Sequence, residues 1–417
     1  MTVPGVPREP SSSRPLPNGW RWVKLGDVCH EDRHLVEPGS NDAAELTCYG
    51  LEHVEAETGC ILKRSRGQVE DEGKSATFRF DGRHVLYGKL RPYLNKVALP
   101  YSPGRCTTEM IPLLPHDGVD REFLAWLLRR RDTVDFAMLG KTGSRMPRAD
   151  MGSLMNLVVP LPPADQQGRI AVLLREQMAA VERARVAAIT RLEAVKTLPA
   201  TFLREVFPNP GQDLPDGWRW VRLGEMAKTT SGSTPSRSQP MYYGGDIPWV
   251  KTGELRDGYV ERTDENITRQ ALAECSLSLL PPGTLLVAMY GQGQTRGRTG
   301  LLSIHATTNQ ACFAILPNEQ EFIPLYLQAW FWHSYDRIRE ETEGRGGNQP
   351  NLNGQILKQM VVPLPTLVEQ GQIAARLRDQ MATIEKARAA AEAELHTINV
   401  LPAALLRRAF RAHIGTK

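Results

Sequence analysis

Two long stretches of the chain carry apolar residues at alternating spacings of three and four. In the first the positions are Leu174, Met178, Val181, Arg185, Ala188, Leu192 and Val195. In the second, 203 residues on, they are Leu377, Met381, Ile384, Arg388, Ala391, Leu395 and Ile398. Both seams are apolar apart from one arginine at the same layer, a spacing that predicts two helices with a coiled-coil seam, the alternative being that each helix packs on its own globular module. Gln166 to Val195 has few helix breakers, with Asp165 as the expected N-cap and Pro199 as the expected stop. Short apolar runs elsewhere, His84 to Tyr87, Thr284 to Met289 and the Val-Val-Pro-Leu-Pro blocks, read as strands. Arg185 and Arg388 either set register or carry their charged ends out to solvent.

The same chain is written twice. Leu16 to Asp27 reads LPNGWRWVKLGD and Leu214 to Glu225 reads LPDGWRWVRLGE. Val158 to Pro162 matches Val361 to Pro365, and Leu198 to Phe207 matches Leu401 to Phe410, both at the offset of 203. That offset is constant across each helix, so the helices have equal length, whereas Cys29 to Arg148 and Met226 to Asn351 barely resemble each other. One part of the unit is held constant and the other diverges.

Composition narrows the class. The 417 residues suffice for two or three domains, with 41% hydrophobic and 24% charged residues. No run of eighteen apolar residues occurs, so no membrane span is expected. The opening residues are rich in Pro and Ser and lack the apolar core of a signal peptide. A net charge of +4 is compatible with a nucleic-acid partner without arguing for one. The six cysteines are scattered without Cys-x-x-Cys, so free thiols in a reducing cytoplasm are expected and no metal site.

The order of motifs resembles the specificity subunit of type I restriction-modification systems. It runs module, VPLPP or VPLPT, a Gln-Gln-Gly-Arg-Ile-Ala or Glu-Gln-Gly-Gln-Ile-Ala helix start, then the whole again. Further segments in the family style are Leu86 to Lys96, Thr107 to Glu109, Ser231 to Pro235, Tyr243 to Trp249 and Thr308 to Ile315. The first helix start has Asp165-Gln-Gln where the family usually has Glu-Gln, a conservative departure. The resemblance implies an α+β fold, with two globular α/β target recognition domains separated by two long helices in an antiparallel coiled coil with a pseudo-twofold repeat. The expected boundaries are a disordered lead-in over 1–15, recognition domains over 16–162 and 208–365, spacer helix regions over 163–207 and 366–410, and a tail over 411–417. It further implies a bipartite target on double-stranded DNA, one domain per half-site, with two methyltransferase subunits and restriction-translocase subunits as partners. S-adenosylmethionine, ATP and Mg would sit on those partners. A helix of about 30 residues is roughly 45 Å long, or about 13 base pairs at roughly 3.4 Å each.

Contact candidates are side chains suited to base edges and phosphates. In the first half they are Lys89, Arg91, Tyr93 and Lys96 after a strand, and Arg145 in a small polar loop. In the second they are Tyr290, Gln292, Gln294, Arg296 and Arg298 in a glycine-rich loop, and Asn348 and Gln349 ahead of Pro350. Each segment also reads as an ordinary solvated loop or turn. No P-loop, paired-histidine metal helix, nucleophile elbow or Asn/Asp-Pro-Pro-Tyr/Phe tetrapeptide occurs, so no catalytic residue is expected in the chain itself. Two alternatives stay open: an adaptor whose unlike modules bind two proteins, and the recognition subunit of a fused methyltransferase-nuclease.

Overall fold

A computed structural model describes residues 16–62, 75–143, 145–291, 293–342 and 352–411. The expected lead-in over 1–15 and the tail beyond residue 411 lie outside the described residues. The chain divides into two compact units. One holds the residues through Ile189 and those from Glu394 on; the other is Thr190–Ala393. No described helix is long and apolar enough to cross a membrane.

The repeated blocks turn out to be strand partners. In the first unit Arg21–Lys24 pairs antiparallel with Val158–Leu161, Trp22 opposite Pro160. In the second, Arg219–Arg222 pairs with Val361–Leu364 in the same register, Trp220 opposite Pro363. Each pair is a two-stranded clasp joining the two ends of a globular module.

Inside the clasps the divergent stretches share a topology. The first module has a sheet in the order Cys29–Glu31, Met110–Pro115, Val85–Gly88, Val97–Ala98. The second has Thr229–Ser231, Cys312–Ile315, Leu285–Ala288, Thr299–Leu302, Gly258–Val260. A second sheet, of four strands in the first module and three in the second, flanks each, and in both a short parallel pairing, Cys48–Tyr49 with Arg105–Cys106 or Trp249–Val250 with Thr307–Thr308, leads into the strand beside the first one. The central strands are buried along their whole length, which is why they read as apolar runs without alternation. Helices Arg121–Leu128 and Pro324–Thr342 cover the sheets, burying Phe123 and Trp126 in one core and Tyr326, Trp330 and Phe331 in the other.

A glutamine fastens the start of each long helix. Gln167 is 2% exposed, and its amide nitrogen donates to the carbonyls of Pro162 (2.9 Å) and Gly118 (3.3 Å). Its amide oxygen accepts from the Asp120 N–H at 2.8 Å. Gln370, wholly buried, repeats the arrangement with Pro365 O, Glu321 O and Ile323 N–H at 3.1, 3.1 and 2.9 Å. The Gln of the motif is thus a bracket between helix and module.

The helices are longer than the sequence predicts. They span Ala164–Val206 and Leu367–Arg411, so Pro199 does not stop the first and Asp165 lies within its first turn instead of capping it. With 43 residues the first is about 65 Å long, not 45 Å. An interior proline costs about 3 kcal/mol. Burial of Leu203 and Phe207 in the second core contributes about 1.5–3 kcal/mol each, enough to carry the helix through. Pro402 stands likewise inside the second helix, ahead of buried Ala409 and Phe410.

The helices pair antiparallel. In the first unit Ile170, Ala171 and Leu174, near the start of one, share a core with Ala409 and Phe410 at the end of the other. In the second unit Ala374 and Leu377 share a core with Leu203 and Phe207. Between these ends the seam positions Ala188, Leu192, Ile384, Ala391 and Ile398 are buried, and Met178, Val181, Val195, Met381 and Leu395 are half-buried. The seam arginines turn along their own helices, Arg185 to Glu182 (2.8 Å) and Arg388 to Glu385 (2.6 Å), so of the two expected roles the structure favours the solvent-directed one.

Two outcomes follow from the packing. Replacing Gln167 by alanine leaves the buried Pro162 carbonyl without its partner, which costs about 1–3 kcal/mol, and removes the part-buried bonds to Gly118 O and the Asp120 N–H. Q167A should therefore deprotect amides of the first unit, and Q370A those of the second, in hydrogen exchange; unchanged protection would demote the bracket. The ring of His333 lies 5.7 Å from that of Phe207. Burial, then Arg337 and Arg204, push its pKa from 6.5 down to about 4. Because the unfolded chain binds this proton first, the stability from neutral His333 is full above pH 6.5 and lost as pH falls towards 4. Thermal scans of H333Q should show a shallower acid loss than the parent between pH 7 and 4, and parallel curves would refute this account.

Candidate nucleic-acid interface

Strand direction decides which loops share a face. Cys29–Glu31 and Val85–Gly88 both run antiparallel to Met110–Pro115, so the segments that follow them leave the same end of the sheet, where Met110 begins. In the second module Thr229–Ser231 and Leu285–Ala288 both oppose Cys312–Ile315, so residues 232–242 and 289–298 also leave one end.

In the first module this end gathers three sequence motifs. The Lys89 N–H donates to Glu109 O (2.9 Å), the Arg91 N–H to Pro147 O (2.7 Å), and the Ala149 N–H to Lys89 O (2.8 Å). Arg148 fixes the polar loop by a forked pair with Glu109, at 2.8–3.1 Å. Glu31, Arg33, Lys89, Thr142, Arg148 and Gly152 line an open cleft of about 320 Å³ there. Arg33 is paired with Glu31 and Arg148 with Glu109, while Lys89 has no acidic partner among the described residues. Of the cations lining the cleft, Lys89 is thus the one without an acidic partner among the described residues, and the carboxylates of Glu31 and Asp150 line the same cleft.

The loop itself is strained. Arg91 (φ +51°) and Asn95 (φ +49°) are left-handed and flank the single turn Pro92–Leu94. Such a backbone costs a non-glycine residue roughly 1–2 kcal/mol. Asn95 holds it by donating to Glu57 and to Arg129 O, both at 3.0 Å. The result presents Arg91 and Tyr93, both exposed. Arg145 is exposed on the neighbouring loop. Lys96 departs from the expectation: its ammonium turns inward to Leu51 O at 2.7 Å, because the chain has already turned back into the sheet.

In the second module the glycine-rich loop lies on the end of Pro324–Thr342. Tyr335 donates to Gln294 O (2.6 Å), and Arg339 to Gly293 O (3.0 Å) and Arg296 O (3.2 Å). Arg296 is a correction. It is 5% exposed and its guanidinium reaches Arg339 O at 3.3 Å, so it fastens the loop and does not face outward. Arg298 is half-buried beside Asp257 (3.9 Å), whereas Tyr290 and Gln294 are exposed. Gln292, Asn348 and Gln349 lie outside the described residues. Sequence reasoning missed Arg33, Glu109 and Arg148 as members of the first site; the charge-paired ends of Thr107 to Glu109 and Lys141 to Arg148 were the available signal.

Comparison with known proteins agrees with this construction. The family model of the type I restriction modification DNA specificity domain matches residues 215–395. The MjaIX specificity subunit of Methanocaldococcus jannaschii is 31% identical over 167 residues, 39% of this chain and 37% of that protein. The EcoDI specificity subunit of Escherichia coli is 28% identical over 195 residues, 46% of this chain and 42% of that one. The matches thus span about two fifths of the length of these relatives. The HsdS subunit from Thermoanaerobacter tengcongensis has the same fold, with TM-score 0.66 at 24% identity over 95% of this chain and 98% of that one. A chain from a structure describing assembly and conformational transition of the type I R-M system gives TM-score 0.73, also at 24% identity, over 95% and 99%. Residues 215–395 thus match the type I restriction modification DNA specificity domain, and the chain has the fold of the HsdS subunit.

Proposed function

We propose that the chain reads a bipartite DNA target, each module taking one half-site through the loops at one end of its sheet, while the paired helices fix the gap. The carrying observation is the contrast between constant and variable parts. Clasp, glutamine bracket and helix recur position for position in both halves, whereas the loop ends carry unlike side chains on a common topology. Lysine and arginine suit phosphates, while arginine, glutamine and tyrosine suit base edges and stacking. In this reading the chain is not itself an enzyme. Two adenine methyltransferase subunits and restriction-translocase subunits bring S-adenosylmethionine, ATP and Mg, and the complex works in the cytoplasm.

The direct test replaces 226–351 with the corresponding module of another family member and sequences the methylome of a host carrying the cognate methyltransferase subunit. One half of the methylated motif should change and the other stay. A change in both halves, or in neither, would sink the modular reading. Lys89 supplies a second test. K89A should lower the steepness of log affinity against log salt by about 0.9, the share of one phosphate contact, with sequence preference intact. An unaltered slope would remove Lys89 from the interface.

A further inference from the structure

The loop end of the second module holds a further cluster, built on segments that carry no contact residue in the account above. Gly232 is pressed against the neighbouring strand so closely that a Cβ would lie 1.7 Å from Thr308 O. The Ser233 N–H donates to Thr308 O (3.0 Å), and the Trp249 indole donates to Ser233 O (3.1 Å). The Thr234 hydroxyl is hydrogen-bonded to the amide oxygen of Gln310. Next to Gln310, Ala311 O accepts the Met289 N–H (2.8 Å), which joins this cluster to the Tyr290 loop.

Arg237 stands on top of the cluster. Its guanidinium lies 4.2 Å from the centre of the Tyr243 ring and 5.5 Å from that of Trp249. Both of its terminal nitrogens are held by the two oxygens of Glu265, one at 2.9 Å. Yet the side chain is 58% exposed. Tyr243 and Trp249 are anchored by their own bonds to Pro235 O and Ser233 O, so the loop does not need the arginine to keep its course. Glu265 occupies one N–H on each terminal nitrogen and leaves three of the five donors free. A planar fork held still over an aromatic shelf has lost its rotamer freedom before any ligand arrives, which favours a ligand of matching planar geometry. Gln310 is exposed, and its NH₂ group and the second lone pair of its amide oxygen remain for a further contact.

The first module repeats the design without repeating the sequence. At the equivalent place, just after Cys29–Glu31, Arg33 is locked to Glu31 at 2.7 Å with its side chain 48% exposed. An arginine held by a glutamate after the first sheet strand is thus common to both loop ends.

We propose that Arg237 and Gln310 are specificity-determining residues of the second module, Arg237 reading a guanine through its O6 and N7 and Gln310 an adenine through its N6 and N7. This rests on the DNA-reading function argued above. The test uses the full chain in complex with its methyltransferase subunit, on duplexes that differ from the methylated motif at single positions. R237A should lose about 10- to 100-fold of discrimination at one position of the second half-site, the range of a bidentate base contact. The first half-site should be read as before. R237K, charged but without the fork, should not restore it, and Q310A should relax a different position. Equal weakening on every duplex, restoration by R237K, or loss of hydrogen-exchange protection across the module in R237A would each make the arginine a phosphate or structural residue and overturn the assignment. Failure of the parent complex to discriminate among the duplexes would overturn the DNA-reading function itself.

Discussion

A single buried amide at the start of each long helix governs what the rest of the molecule can do. Gln167 and Gln370 each satisfy two carbonyls and one N–H, and each ties three stretches of chain: the clasp strand's end, the helix start and the segment before the module's main helix. A hydrophobic residue there would leave those groups orphaned, and a charged one would be desolvated. The direction in which each helix leaves its module is therefore fixed by these hydrogen bonds together with the burial of Ile170, Ala171 and Leu174 in one core and Ala374 and Leu377 in the other. That matters in a protein whose modules differ in nearly every other residue.

The far ends of the helices add a second constraint. Phe410 sits in the core of the first unit against Phe123, and Phe207 in that of the second against Tyr326, with ring centres 5.6 and 5.3 Å apart. The first core is thus completed by a segment distant in sequence, and the second by the stretch just ahead of its module. The proline in each helix is tolerated because the aromatic beyond it is buried, so a local rule is overridden by packing that is worth more.

Much of this was legible. The repeat blocks, the heptad seams and their common length rest on residue identity and on a period of three and four, both local properties. The helix ends were not, because Pro199 obeys a tertiary contact the sequence does not display. The common topology of the modules was hidden for a different reason. Val85–Gly88 and Leu285–Ala288 occupy the same place in their sheets, but a strand buried on both faces needs only apolar bulk, which leaves no identity to align. At the loops, sequence identified the segments better than the residues. Arg296 and Arg298 lie two apart on one turn, and only the position of Arg339 and Asp257 decides that the first turns inward and the second lies half out. Lys96 differs from Lys89 in the same way: one ends against a backbone carbonyl and the other opens on a cleft.

The loop ends reconcile rigidity with divergence through the backbone. Lys89, Arg91 and Ala149 are tied by main-chain bonds, as are Met289 and Ser233, and main-chain groups are the same whatever side chain stands on them. Side chains at these positions can change without loosening the loop, so a new set of donors and acceptors is presented on an already ordered frame. Where side chains do fasten the frame, Glu109 with Arg148 in one module and Tyr335 and Arg339 in the other, the two solutions are unrelated. The constant clasp, bracket and helix hold the geometry, and in the proposed reading the divergent loop ends hold the information.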